Sequence, residues 1–446
     1  VGLKPPQSAA VAVLAATLML VWPAFLNGYP LLFSDTGAFL AQTVQPLMIW
    51  DKPWIYGPLL HLLHWNTTLW LPLLAQGLVV SHLLWLSQRA VRGHATAAAH
   101  LLLCLALGTL TALPWVAALL MPDVLAPVAV LSLFLLGIGR AALSRREAAW
   151  LGLLATLALA AHLSHLPLAA ALVLATAVLT RRLWPAMRVA GPLAAALLLL
   201  LVTNWAGHGR LSLSPYGVVF VLARMIDDGP ALRTIEARCP GSGWSLCASA
   251  GSLGGDSDVF LWGPDSPVNR DEAGRPIVLG AMRLAPEARE IVAETIRREP
   301  LALAGAVLRN FGRQLVLAGV GDTLVADHLE GAVRPRIVQG FPPAELARYD
   351  ASAQVRRLLP ARALPMLWPQ GAVLLGSALG LGAMAWRLRG PGRCFALFLL
   401  VAVAANAMAT GPLSKPHHRY QARIAWLMPL GVMVLALPRR DATARA

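Results

Sequence analysis

Asp35 lies in the stretch Asn27-Gly-Tyr-Pro-Leu-Leu-Phe-Ser-Asp-Thr-Gly-Ala-Phe-Leu40, directly beyond the first long apolar run, Ala9 to Leu26. A carboxylate at a bilayer boundary is costly unless it is hydrated, paired or used. Ser-Asp-Thr-Gly is also good helix-capping chemistry, so the same residue could serve the fold alone. Three further polar sites recur at the ends of apolar runs. Asp123 stands in Leu120-Met-Pro-Asp-Val-Leu-Ala-Pro127, and His162 and His165 in Ala161-His-Leu-Ser-His-Leu-Pro167. Lys415, His417, His418, Arg419 and Tyr420 form the run that ends at Arg423. Carboxylates and cations gathered at one depth suit transfer chemistry on a lipid-linked phosphate. A carboxylate takes the proton of an acceptor hydroxyl, while Arg, Lys and His neutralise the phosphate as it leaves. Asp35 is the expected general base, and Asp123 orients the acceptor or supports that base. The histidines and the Lys415 to Tyr420 run are expected to bind substrate, with Arg309 or Arg313 added from a later segment. Arg423, at the start of the last apolar run, reads as an interfacial anchor.

The elements that must position these groups are membrane helices. Of 446 residues, 57% are hydrophobic and 13% charged, with mean hydropathy +0.62, above a soluble globular chain. The formal net charge of +15 does not point to nucleic acid. The arginines come in small clusters between apolar runs, which is the positive-inside pattern. A basic groove interleaved with aromatics, as single-stranded nucleic-acid binders carry, is missing. Residues Lys4 to Leu26 look like a signal peptide, but no A-x-A site follows, so a retained helix is expected.

Apolar runs long enough to span a bilayer fall near 8–27, 67–87, 96–119, 123–139, 148–164, 165–181, 189–206, 368–386, 394–413 and 421–438. The expected fold is therefore an all-α polytopic membrane protein with about ten transmembrane helices. Arg89 and Arg92, then Arg140, Arg145 and Arg146, then Arg181, Arg182 and Arg188, mark alternate helix ends as cytoplasmic. Arg387, Arg389 and Arg393, then Arg439 and Arg440, continue the same side. Both termini are then cytoplasmic and the Asp35 loop external.

Three parts follow: an N-terminal transmembrane module at 1–206, an external insert at 207–367 and a C-terminal transmembrane module at 368–446. The first module carries a long external loop, 28–66, rich in Trp, Tyr and His and suited to lie at the interface. The insert should be mostly helical. Its Cys239 and Cys247, separated by a short turn, read as a disulfide and lack zinc spacing. Arg309 and Arg313, four residues apart in a partly apolar segment, read as an interfacial helix or a phosphate platform.

These residues resemble a family. The chain is similar to the integral-membrane GT-C glycosyltransferases, among them the protein O-mannosyltransferases and the aminoarabinose lipid A transferases. An acidic residue in the first external loop matches Asp35, and a Pro-Asp-x-Leu element matches Pro122-Asp123-Val124-Leu125. His162-Leu-Ser-His165-Leu-Pro matches the family's His element loosely, and Arg419-Tyr420 with Met428-Pro429 resembles its last motif. The resemblance implies sugar transfer from a polyprenyl-phosphate carrier to a glycan, lipid or protein acceptor. The implied location is the periplasmic face of a bacterial inner membrane, among membrane lipids and with no nucleic acid. Many members carry two adjacent acids where Ser34 and Thr36 here flank one Asp. That departure favours a metal-independent reaction, and no cofactor is expected. Two rival readings are a ligase or polymerase of the O-antigen kind and a transporter or flippase of a lipid-linked substrate. Ionisable groups at one face, without internal symmetry between halves, disfavour transport.

Overall fold

A computed structural model describes residues 5–437 apart from 272. Lys4, Arg439 and Arg440, used above to read the chain's ends, lie outside the described residues. The described residues are all-helical, with no named strand and two isolated bridges, Leu31–Leu119 and Arg270–Pro276.

Among the described residues, four helices are long and apolar enough to cross a membrane: Trp70–Arg92, Leu183–His208, Leu359–Arg387 and Pro391–Thr410. Shorter apolar helices run Gln7–Leu20, Ala97–Leu110, Pro122–Gly137 and His165–Thr180. Proline accounts for several of the shorter lengths, because it lacks an N–H and crowds the carbonyl four residues back. The run expected at 8–27 divides at Val21, with Pro23 in the first turn of Trp22–Asn27. The run at 96–119 divides at Thr111 and Ala112, ahead of Pro114. The last run divides at Trp426, ahead of Pro429. Leu198, Val202 and Trp205 of Leu183–His208 face outward, as a helix in contact with lipid would present them.

Leu125–Gly137 is apolar all round and nearly every residue of it is buried, so it runs through the middle of the bundle. It packs on Arg145–Ala160, Leu183–His208, Trp70–Arg92 and His165–Thr180. Segments far along the chain join the same core: Val320, Leu324, Leu329, Val333, Ile337 and Tyr349 are buried with the bundle helices. Two buried polar side chains fasten this later segment to the first loop. Gln354 accepts from Leu32 N (3.1 Å) and donates to Leu32 O (2.8 Å) and Thr323 O (3.0 Å). Glu345 accepts from Tyr29 OH and from Leu69 N, each at 2.8 Å. Left unmade, bonds at such depth would cost about 1–3 kcal/mol per group.

A second core gathers Val219, Leu222, Ile226, Ile235, Ala288 and Ile291. Cys239 and Cys247 form a disulfide beside it, Cα to Cα 5.4 Å. Trp50 of the first loop stacks on Phe220 and lies against Trp262 of this unit, with ring centroids 5.4 and 5.7 Å apart.

Candidate functional site

Asp35 occupies the first turn of the helix Ser34–Val44. Thr36 starts that helix: its hydroxyl accepts from Phe33 N and donates to Leu120 O, both at 3.0 Å. Leu31 N donates to Ala118 O (3.0 Å), and Leu120 N donates to Leu31 O (2.9 Å). These bonds join the Asp35 segment to the Leu119–Asp123 segment, so two stretches nearly ninety residues apart in sequence meet at one end of the bundle.

The Asp35 side chain is 34% exposed, with Oδ1 3.2 Å from Lys52 Nζ and Oδ2 3.7 Å from Arg419 Nη1. Lys52 also contacts Asp51 at 2.6 Å. Burial alone would raise the Asp35 carboxyl, but the Lys52 ammonium and then the Arg419 guanidinium outweigh it and hold its pKa below the ordinary value. Arg419 lies over the rings of Phe33 (4.2 Å) and Tyr420 (5.0 Å), a cation–π cradle that fixes the planar group. Its backbone N donates to Asp322 Oδ2 at 3.1 Å.

Asp123 lies deeper, in the short turn Pro122–Val124, and is buried. Arg423 faces it at 3.4 Å and has no exposed surface. This corrects the expectation that Arg423 anchors at the interface. The helix His418–Ala425 packs against Pro391–Thr410, which turns Arg423 inward onto Asn406 Oδ1 (2.9 Å) and Ser164 Oγ (2.9 Å). Ser164 Oγ in turn lies 2.8 Å from His162 Nδ1. His162 is within electrostatic reach of Arg423, Arg419, Lys52 and Asp35. His165 is fully buried behind it, donating from Nδ1 to Ala158 O at 2.7 Å. A small pocket is lined by Trp115, Asp123, Thr323, Arg419 and Arg423.

The remaining expected ligands lie apart from this group. Lys415 is 2.7 Å from both Asp256 oxygens and 3.0 Å from Asp258. His417 is 3.5 Å from Asp258, and that imidazole, with the Lys415 ammonium beyond it, holds the Asp258 carboxyl down to about 2. His418 Nδ1 accepts from Gly319 N at 3.0 Å. Arg309 and Arg313 are exposed on Pro300–Val316, off the buried face formed by Ala306, Asn310 and Gln314. Of the anticipated substrate ligands, Arg419, Tyr420 and His162 are therefore grouped near Asp35. Among the described residues no group of three or more His, Cys, Asp or Glu is placed to hold a metal ion.

Sequence reasoning missed Lys52, Ser164 and Asn406. Lys52 carried a signal: it is one of three lysines in the chain, with Lys4 and Lys415, among 37 cationic side chains. It also stands in the loop expected from the sequence to be external, where the positive-inside pattern leaves cations scarce. No family model, curated protein or solved structure matches the chain.

Proposed function

We propose that the chain is an integral-membrane transferase acting on a lipid-linked phosphate. More particularly, it is a glycosyltransferase of the GT-C kind, moving a sugar from a polyprenyl-phosphate carrier to an acceptor hydroxyl on a glycan, lipid or protein. In this reading about ten spans cross a bacterial inner membrane, the site faces the periplasm, and both termini are cytoplasmic. No cofactor enters the reaction.

The observation that carries the reading is Asp35 held between Lys52 and Arg419. Both cations neutralise the carboxylate. A carrier phosphate competes for them, because an anion with several oxygens accepts more charge-assisted hydrogen bonds. As the cations turn to phosphate, Asp35 loses its stabilisation and its pKa rises, so the base strengthens when donor is bound. The acceptor oxygen then attacks the anomeric carbon and the bond from that carbon to the phosphate oxygen breaks. Phosphate leaves with the electron pair and Asp35 takes the acceptor's proton.

Asp35→Asn keeps the shape and removes the basic oxygen. Turnover should fall by about 10²-fold or more while purified protein still binds carrier. A folded Asp35→Asn variant that transfers sugar at the wild-type rate would sink the assignment.

A further inference from the structure

His162 and its neighbours fix something the sequence does not show, namely which ring nitrogen carries the proton. His162 sits in the connection between Arg145–Ala160 and His165–Thr180. Two groups converge on its Nδ1: the backbone N of Ser164 at 3.2 Å and Ser164 Oγ at 2.8 Å. A backbone N–H only donates, so Nδ1 accepts and is bare. The hydroxyl is committed the same way. A guanidinium also only donates, so Arg423 Nη2, 2.9 Å away, occupies one lone pair of Ser164 Oγ, and the hydroxyl donates its O–H to the bare Nδ1. Protonating Nδ1 would set it against both donors and add a cation beside Arg423, Arg419 and Lys52.

The proton of the neutral ring therefore sits on Nε2, which makes no hydrogen bond to another described residue. His165 carries the opposite arrangement. Its Nδ1 faces the Ala158 carbonyl at 2.7 Å and must donate, which leaves a bare, unpartnered Nε2.

We propose that Ser164, through its backbone N–H and its Arg423-held hydroxyl, keeps His162 a neutral Nε2–H donor for an oxygen of the carrier phosphate. Arg423 and Ser164 are positioning residues, and His162 is the group that meets the ligand. The identity of that ligand rests on the glycosyl-transfer reading above. The protonation pattern does not, because it follows from the bonds alone.

Two measurements on the full chain test this. Nitrogen-15 NMR of protein labelled in its histidine rings should show His162 with a bare Nδ1 and a protonated Nε2, and His165 with the reverse. Ser164→Ala removes the hydroxyl but leaves the backbone N–H on Nδ1, so the His162 Nδ1 signal should shift while Nε2 stays protonated. A protonated Nδ1 on wild-type His162, or a spectrum unchanged by Ser164→Ala, overturns the relay. Binding of geranyl phosphate, a short polyprenyl monophosphate, tests the ligand. The amide nitrogen of Gln falls near Nε2 of histidine and that of Asn near Nδ1. His162→Gln should thus keep most of the affinity, whereas His162→Asn should lose about tenfold or more, the size of one hydrogen bond to a charged group. Equal affinity of the two variants, or wild-type protein that does not bind geranyl phosphate, overturns the phosphate assignment. Geranyl phosphate bound as expected by a chain that transfers no sugar would fell the glycosyl-transfer reading and leave this inference standing.

Discussion

Arg423 Nη1 lies 3.4 Å from Asp123 Oδ1, and the two side chains are 0% and 3% exposed. Taking two charges out of water costs several kcal/mol per ion, which the pair recovers only when its remaining groups are bonded. Asn406 and Ser164 supply those bonds on the arginine side. Arg423→Ala would leave Asp123 buried without its cation, at a cost of about 3–5 kcal/mol. The thermal midpoint in one detergent should drop accordingly. The double change Asp123→Asn with Arg423→Gln should cost less than the sum of its parts, since the partners act as a unit. An Arg423→Ala protein as stable as wild type would mean the pair is not buried.

Gly37 offers a test of how the later segment docks on the Asp35 helix. A methyl group built there would overlap the carbonyl of Ala332, which belongs to the backbone and cannot swing aside. Gly37→Ala should destabilise the protein by about 1–3 kcal/mol through overpacking and lower turnover by shifting Asp35, two residues away. Unchanged melting and turnover would count against the close approach of Ser34–Val44 and Leu329–Ala332.

Much of this end of the molecule was legible in the sequence because its signals are local. Asp35 and Asp123 announce themselves as acids beside apolar runs, and Arg419 and Tyr420 as a polar pair ahead of the last one. The partners were not legible because they depend on where distant segments return. Lys52 reaches Asp35 only because the chain folds back after Val44, where the Gln42 side chain accepts from Gly57 N and donates to Pro53 O, both at 3.1 Å. Arg423 was misread because helix-start position suggests an interface, while its direction is set by Asn406 on a neighbouring helix. Lys415 and His417 belong to the same run as Arg419, yet Asp256 and Asp258 draw them to the other side. Spacing along a chain cannot report which acid a flexible cation will find.

Arg419 and Lys415 should therefore differ as carrier ligands. Lys415 is already neutralised by two carboxylates, whereas Arg419 faces Asp35 at 3.7 Å. In the proposed reaction Arg419 gives the carrier phosphate a charge-assisted hydrogen bond contributing about 1.5–3 kcal/mol, so Arg419→Ala should raise the donor KM by about tenfold or more. Lys415→Ala should raise it much less. Donor-dependent kinetics of both variants in one lipid would decide, and equal losses would return Lys415 to the binding site.

Lys52 should set the acid side of the rate profile. Burial tends to raise the Asp35 carboxyl, and Lys52 is the largest influence lowering it, ahead of Arg419. With Lys52 present, the base form of Asp35 persists to pH values below the ordinary carboxylate range. Its ionisation likewise stabilises the fold above the unfolded carboxylate pKa, and that contribution is lost as pH falls through the depressed folded value. Lys52→Met removes the lowering charge, so the carboxyl pKa rises and the acid limb of kcat/KM moves to higher pH, because kcat/KM reports groups of the free enzyme. Lys52→Arg keeps the charge and should leave the limb close to its wild-type place. The measurement is kcat/KM across the acid range for the three proteins, with folding checked at each pH. Wild-type and Lys52→Met limbs that superimpose would show that Lys52 does not govern the carboxyl, and Asp35 would then have to owe its ionisation to Arg419 alone.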